Sequence, residues 1–72
     1  MADQTADSVE TYLTTKQVSE QTGIAAATLR YWRHVGTGPA SFALGKRIVY
    51  KRSALLAWLA AQEAATTRGG VA

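Results

Sequence analysis

Seventy-two residues with a net charge of +3 and 47% apolar content leave room for one ordinary globular domain, too small for a spacious catalytic cavity. No apolar stretch approaches the roughly 20 residues needed to cross a bilayer. Cysteine is absent, which excludes a disulfide framework and a thiolate metal site.

Residues 1–11 are small and polar, lack apolar periodicity, and read as a flexible arm. They also lack the basic start and apolar run of a secretory signal, so a cytoplasmic, nucleoid-associated location is expected. Order is expected from Tyr12 and Leu13 onward. Thr14 and Gln17 have the capping-box spacing, in which two side chains satisfy otherwise orphaned amides, and a short helix is predicted from about Thr15 to Thr22. Gly23 stops it, because glycine readily adopts the left-handed conformation past a helix end. A second helix, from about Ala26 to Val35, places Leu29 and Trp32 on one face, where they join Val18 and Ile24 in a core. Arg30, Tyr31, Arg33 and His34 are left mostly outside, and Gly36, Gly38 and Pro39 end the helix.

The stretch SFALGKRIVY sets two short apolar runs around a glycine, the local signal of a β-hairpin. A two-residue turn at Gly45-Lys46 would place Leu44 opposite Arg47. A three-residue loop from Gly45 to Arg47 would gather Leu44 with Ile48 and Phe42 with Tyr50 on one face, and is preferred because it sorts apolar from basic side chains. Ser53 is placed as the cap of a last helix reaching about Ala65, with Leu55, Trp58 and Leu59 at helical spacing. The closing TTRGGVA, residues 66–72, reads as a frayed tail, which leaves one domain over residues 12–65. The expected fold is mainly α with a small β-hairpin: about three helices plus a two-stranded wing.

Charge is segregated along this chain. Between Thr15 and Trp58 stand Lys16, Arg30, Arg33, Lys46, Arg47, Lys51 and Arg52 against Glu20 alone, whereas Asp3, Asp7 and Glu10 lie in the leading arm. Such a concentration suits a polyanion, since each phosphate contact releases condensed counterions; a basic surface kept for solubility is the plainer alternative. Two helices separated by a glycine turn, LTTKQVSEQTGIAAATLRYW, have the spacing of a helix-turn-helix, whose second helix enters the major groove with its early residues facing base edges. Helical hairpins also occur in proteins that touch no DNA. The added hairpin with Lys46 and Arg47 at its tip shifts the balance toward double-stranded DNA, because a basic wing straddles phosphates or the adjacent minor groove.

The runs TGIAAATLRYWRHVGTGP and FALGKRIVYKRSALLAWL resemble the MerR-like winged helix-turn-helix proteins, and within them the small phage excisionases, or recombination directionality factors. The resemblance spans about Tyr12 to Ala61. It is carried by Gly23-Ile24, the Thr28 to Trp32 block, Gly38-Pro39, the Gly45-Lys46-Arg47 wing and the Ser53 to Leu59 segment. It implies a protein that binds and bends DNA near phage attachment sites, in several copies, to help an integrase excise a prophage. Related domains also serve as transcription regulators. Two positions depart from the pattern: Ala25 stands where family members often carry serine, so a cap worth about 1 kcal/mol is missing, and Val49 stands where the second wing strand often carries an outward basic residue. MerR activators continue into a long dimerising helix and an effector-binding region, for which this chain is too short, so inducer sensing is not expected.

Arg30 is the leading candidate for a base or phosphate contact, since a guanidinium grips two acceptors at once; a surface ion pair with Glu20 is the alternative. Arg33, one turn on, is assigned to phosphate and His34 to a phosphate-facing surface. Thr28 and Tyr31 carry hydroxyls suited to the DNA backbone, and Tyr31 equally suits packing against the wing. Ala26 and Ala27 are best placed to read base edges but offer only a methyl contact to thymine, so DNA shape and deformability are expected to carry much of the specificity. Lys46 and Arg47 are wing contacts or an idle solvated turn, and Lys16 with the Thr15 hydroxyl meets a phosphate near the first helix's positive end. A lone module of this kind buries only about 600 to 1,000 Å² against DNA, so a homo-oligomer, cooperative copies or a partner protein are expected.

His34 is the only histidine and has no clustered acid beside it, so no metal is expected. Trp32 and Trp58 could stack on unpaired bases, but their helical registers favour core packing. Nucleophile, base and oxyanion donors do not assemble into a set, so neither an enzyme nor a cofactor is expected. A reading from another class is a protein-interaction adaptor, in which the alanine-rich LLAWLAAQEAA helix pairs with a partner and the basic surface is incidental.

Overall fold

A computed structural model describes residues 11–70. In chain order it contains β1 (Tyr12–Thr14), α1 (Thr15–Thr22), α2 (Ala26–Val35), β2 (Phe42–Leu44), β3 (Arg47–Lys51) and α3 (Arg52–Thr66). The flexible arm expected over residues 1–11 lies outside the described residues apart from Thr11, as do tail residues 71–72.

Local hydrogen-bonding chemistry sets the ends of the first two helices, as the sequence predicts. The Thr14 amide donates to Gln17 Oε1 at 2.9 Å and the Gln17 amide donates to Thr14 Oγ1 at 3.1 Å, a reciprocal cap that also closes β1. At the other end Gly23, with φ at 81°, donates its amide to the Ser19 carbonyl at 2.8 Å. The Thr22 hydroxyl donates to the Val18 carbonyl at 2.8 Å while accepting from the Ile24 amide at 3.1 Å, which fixes the turn between α1 and α2. α2 then starts from Ala25, whose extended backbone suits a capping residue but whose side chain makes no capping bond. It ends in a Schellman motif: the Thr37 amide donates to the Trp32 carbonyl at 2.8 Å and the Gly36 amide to the Arg33 carbonyl at 3.3 Å.

One strand-level expectation is extended, and the hairpin register and the last helix's cap are corrected. The expected two-stranded wing is present as β2-β3, and β1 adds a third antiparallel strand in the order β1-β3-β2, since Tyr12, Leu13 and Thr14 pair with Lys51, Tyr50 and Val49. The hairpin takes the two-residue Gly45-Lys46 turn, with Leu44 opposite Arg47, Ala43 opposite Ile48 and Phe42 opposite Val49, so the preferred three-residue loop is wrong. Its reason is the turn's own geometry: Gly45 has φ at 65° and Lys46 lies outside the positive region, the pattern of a type II′ turn, whose twist matches that of paired strands. Nor is Ser53 the cap of the last helix. β3 runs straight into α3, the Arg52 amide donates to the Thr11 carbonyl at 2.8 Å, and helix geometry begins at Arg52 with Lys51 in the cap position.

Leu13, Val18, Leu29, Tyr50 and Leu55 form the buried core, with Ile24, Trp32, Ile48 and Leu59 packed against it. Every element except β2 contributes a buried residue to it. Trp32 of α2 meets Trp58 of α3 with ring centroids 5.7 Å apart, joining the helical pair to the last helix. Beyond Leu59 the rest of α3 is exposed, so its final turns project from the domain.

Two substitutions separate capping from packing. Ala25→Ser supplies the missing cap and is expected to raise unfolding free energy by about 1 kcal/mol, read as a higher urea midpoint. Gly38→Ala should lower it by about 1 to 3 kcal/mol, because Gly38 has φ at 77° and a Cβ there would lie 2.7 Å from Trp32 Cε3.

Candidate nucleic-acid interface

Burial divides α2 into two sides. Leu29 is buried and Trp32 half-buried, while Ala27, Arg30, Tyr31 and His34, spaced by three, one and three residues, form one exposed stripe. Tyr31 is 62% exposed, which settles its alternative reading against burial on the wing. Arg30 is exposed, and among the described residues no ion pair ties it to Glu20. Ala26 and Thr28 are half-buried, so Ala27 alone stands clear among the first residues of this helix.

Arg33 sits on the flank of the stripe. It is exposed, and its Nη1 donates to Ser41 Oγ at 3.3 Å, linking the end of α2 to the residue before β2. Together with the loop from Gly36 to Ser41 it lines an open hollow. Lys46 and Arg47 are exposed at the end of the β2-β3 hairpin. On α1, Lys16 is exposed and Thr15 half-buried, directly after the Thr14 cap.

The structure thus leaves Lys16, Ala27, Arg30, Tyr31, Arg33, His34, Lys46 and Arg47 accessible and turns Thr15, Ala26 and Thr28 partly inward. Sequence reasoning gave no role to the outer face of the sheet, where strand alternation sets Lys51 beside Val49 and Arg47. The signal was present in the two-residue turn register, which puts Leu44, Phe42 and Val49 on that same side. Val49 is 4% exposed there, so the position where a basic residue was the family pattern is filled by a covered apolar one. Trp32 and Trp58 pack together as their registers predicted.

Among the described residues no group of three or more His, Cys, Asp or Glu side chains comes together to hold a metal, and no helix is long and apolar enough to cross a membrane.

Three helices with an antiparallel hairpin in this order make a winged helix-turn-helix, a class that binds DNA. The family model for the helix-turn-helix domain matches residues 12–63, and the chain belongs to that family, which is associated with excisionase-like and MerR-like DNA binders and is typically non-enzymatic. No curated protein and no solved structure matches the chain.

Proposed function

We propose that this protein is an excisionase, or recombination directionality factor, that binds duplex DNA through the exposed stripe of α2 and the hairpin tip. The observation that carries the DNA-binding surface is the stripe itself: an exposed arginine with no ion-pair partner among the described residues, one helical turn from Ala27 and from His34, on the second helix of the motif. In this reading α2 lies in the major groove, Arg30 grips a base edge or a phosphate, Ala27 offers a methyl to thymine, and Tyr31, Arg33 and His34 meet the backbone. Lys46 and Arg47 straddle phosphates at the wing, and Lys16 with Thr15 adds a contact from α1. Thr28 and Ala26, half-buried, contribute position more than readout.

Sparse direct readout makes DNA shape and bending the main source of specificity. Because one module of this size covers little DNA, several copies on neighbouring sites and an integrase partner complete the working complex. The family resemblance supports the excision role, and a MerR-like transcription regulator uses the same surface at promoters. Footprinting around an attachment site with an integrase excision assay tests the choice: stimulated excision is expected, and protection of a promoter without stimulation overturns the excisionase reading while leaving DNA binding intact.

Two variants test the surface. Arg30→Ala is expected to weaken duplex binding roughly tenfold or more while leaving the unfolding curve unchanged, since the guanidinium is exposed and a good bidentate contact contributes about 1 to 3 kcal/mol. Lys46→Gln with Arg47→Gln should make the log affinity against log salt line shallower by about 0.9 for each phosphate that the wing no longer neutralises, measured by gel shift. An unchanged slope removes the wing from the interface.

A further inference from the structure

The sheet carries a second face that the DNA-binding surface does not use. Strand alternation sends Leu13, Ile48 and Tyr50 into the core, and Tyr12, Phe42, Leu44 and Val49 to the other side. Tyr12 and Phe42 come from the two edge strands and meet edge to face, centroids 5.9 Å apart at 77°, on either side of Val49. They remain 47% and 37% exposed, and Leu44 is 55% exposed. Arg47 and Lys51, both exposed, stand on this same side at the two ends of β3. The result is an aromatic and aliphatic strip with a cation at each end, in which Val49 is buried and Tyr12, Phe42 and Leu44 stay exposed.

Charge and chain entry identify its occupant. Residues 1–10 hold Asp3, Asp7 and Glu10 and no basic side chain, and include the apolar Met1 and Val9. They join the fold at Thr11, whose carbonyl accepts from the Arg52 amide, next to Tyr12, which pairs with Lys51. The segment therefore begins at one end of the strip. From Lys51 to Arg47 the strand spans about 13 Å, whereas ten residues reach up to about 33 Å, so the segment is long enough to fold back over the whole strip. A tethered segment also outcompetes a free partner of equal affinity, because its effective concentration is set by a short linker.

We propose that residues 1–10 dock across this face, with their carboxylates toward Lys51 and Arg47 and Val9 against the aromatic pair. The competition with DNA rests on the DNA-binding reading; the docking does not. Arg47 belongs to both surfaces, so the segment and the duplex compete for it. The docked segment lowers affinity for specific and non-specific DNA by the same factor, and salt weakens it as it weakens DNA binding.

The test compares the full chain with Asp3→Asn/Asp7→Asn/Glu10→Gln. Expected is a three- to tenfold tighter duplex affinity at low salt for the triple variant, with a steeper salt dependence. Because the protein has no cysteine, Ser8→Cys gives a single attachment point for a nitroxide. Amide resonances of Tyr12, Phe42 and β3 should broaden at low salt, and the broadening should vanish when the acids are neutralised or saturating duplex is added. Tighter binding without broadening on this face means that net charge alone acts, and overturns the docking. Broadening without an affinity change overturns the competition. Broadening in a mixture of labelled and isotope-enriched chains assigns the segment to a second copy and overturns the intramolecular form. Loss of all duplex binding in the unmodified chain defeats the DNA-binding reading, while broadening on the sheet still decides the docking.

Discussion

Strand β3 is hydrogen-bonded on both sides, to β1 and to β2, and this double pairing fixes the positions of the surrounding elements. Its inward residues, Ile48 and Tyr50, lie in or against the core with Leu13 of β1, and its outward Val49 is covered on the opposite face. Because Thr14 ends β1 and caps α1, anchoring β1 also anchors the first helix. Because β3 passes directly into α3, with the Arg52 amide held by Thr11, the same strand aims the last helix. A three-stranded sheet with one face on helices meets the usual requirement for independent stability, which an isolated hairpin does not.

That arrangement explains which parts of the fold were legible in the sequence. Helix ends were readable because their chemistry is local: Thr14 with Gln17, Gly23 and Gly36 act within a few residues of themselves. The hairpin register was misjudged because sorting apolar from basic side chains assumes one buried face. Here both faces of β3 bury something, since Tyr12 and Phe42 flank Val49 on the outer side. Tyr12 belongs to a three-residue strand, too short for alternation to show, and it is far from Phe42 in sequence. Ser53 failed as a cap for the same reason, as the partner of the Arg52 amide lies 41 residues earlier at Thr11. On the candidate surface, helical periodicity placed Arg30, Tyr31 and His34 outside correctly, while the half-burial of Ala26 and Thr28 is a tertiary property that local spacing does not report.

The connection between α2 and β2 has consequences for how the two candidate contact elements are held. Four features converge on it: the Schellman motif closing on the Trp32 carbonyl, Gly38 seated against the Trp32 ring, the burial of Pro39, and the hydrogen bond from Arg33 to Ser41. Trp32 in turn rests on Trp58 of α3. A loop tied at this many points keeps α2 and the start of the hairpin in one relation, so ordering it costs little when a partner binds. Packing beneath the surface therefore bears on the proposed DNA recognition: in that reading a substitution at Gly38 or Trp58 that loosens this loop reduces duplex affinity without removing any side chain from the exposed stripe.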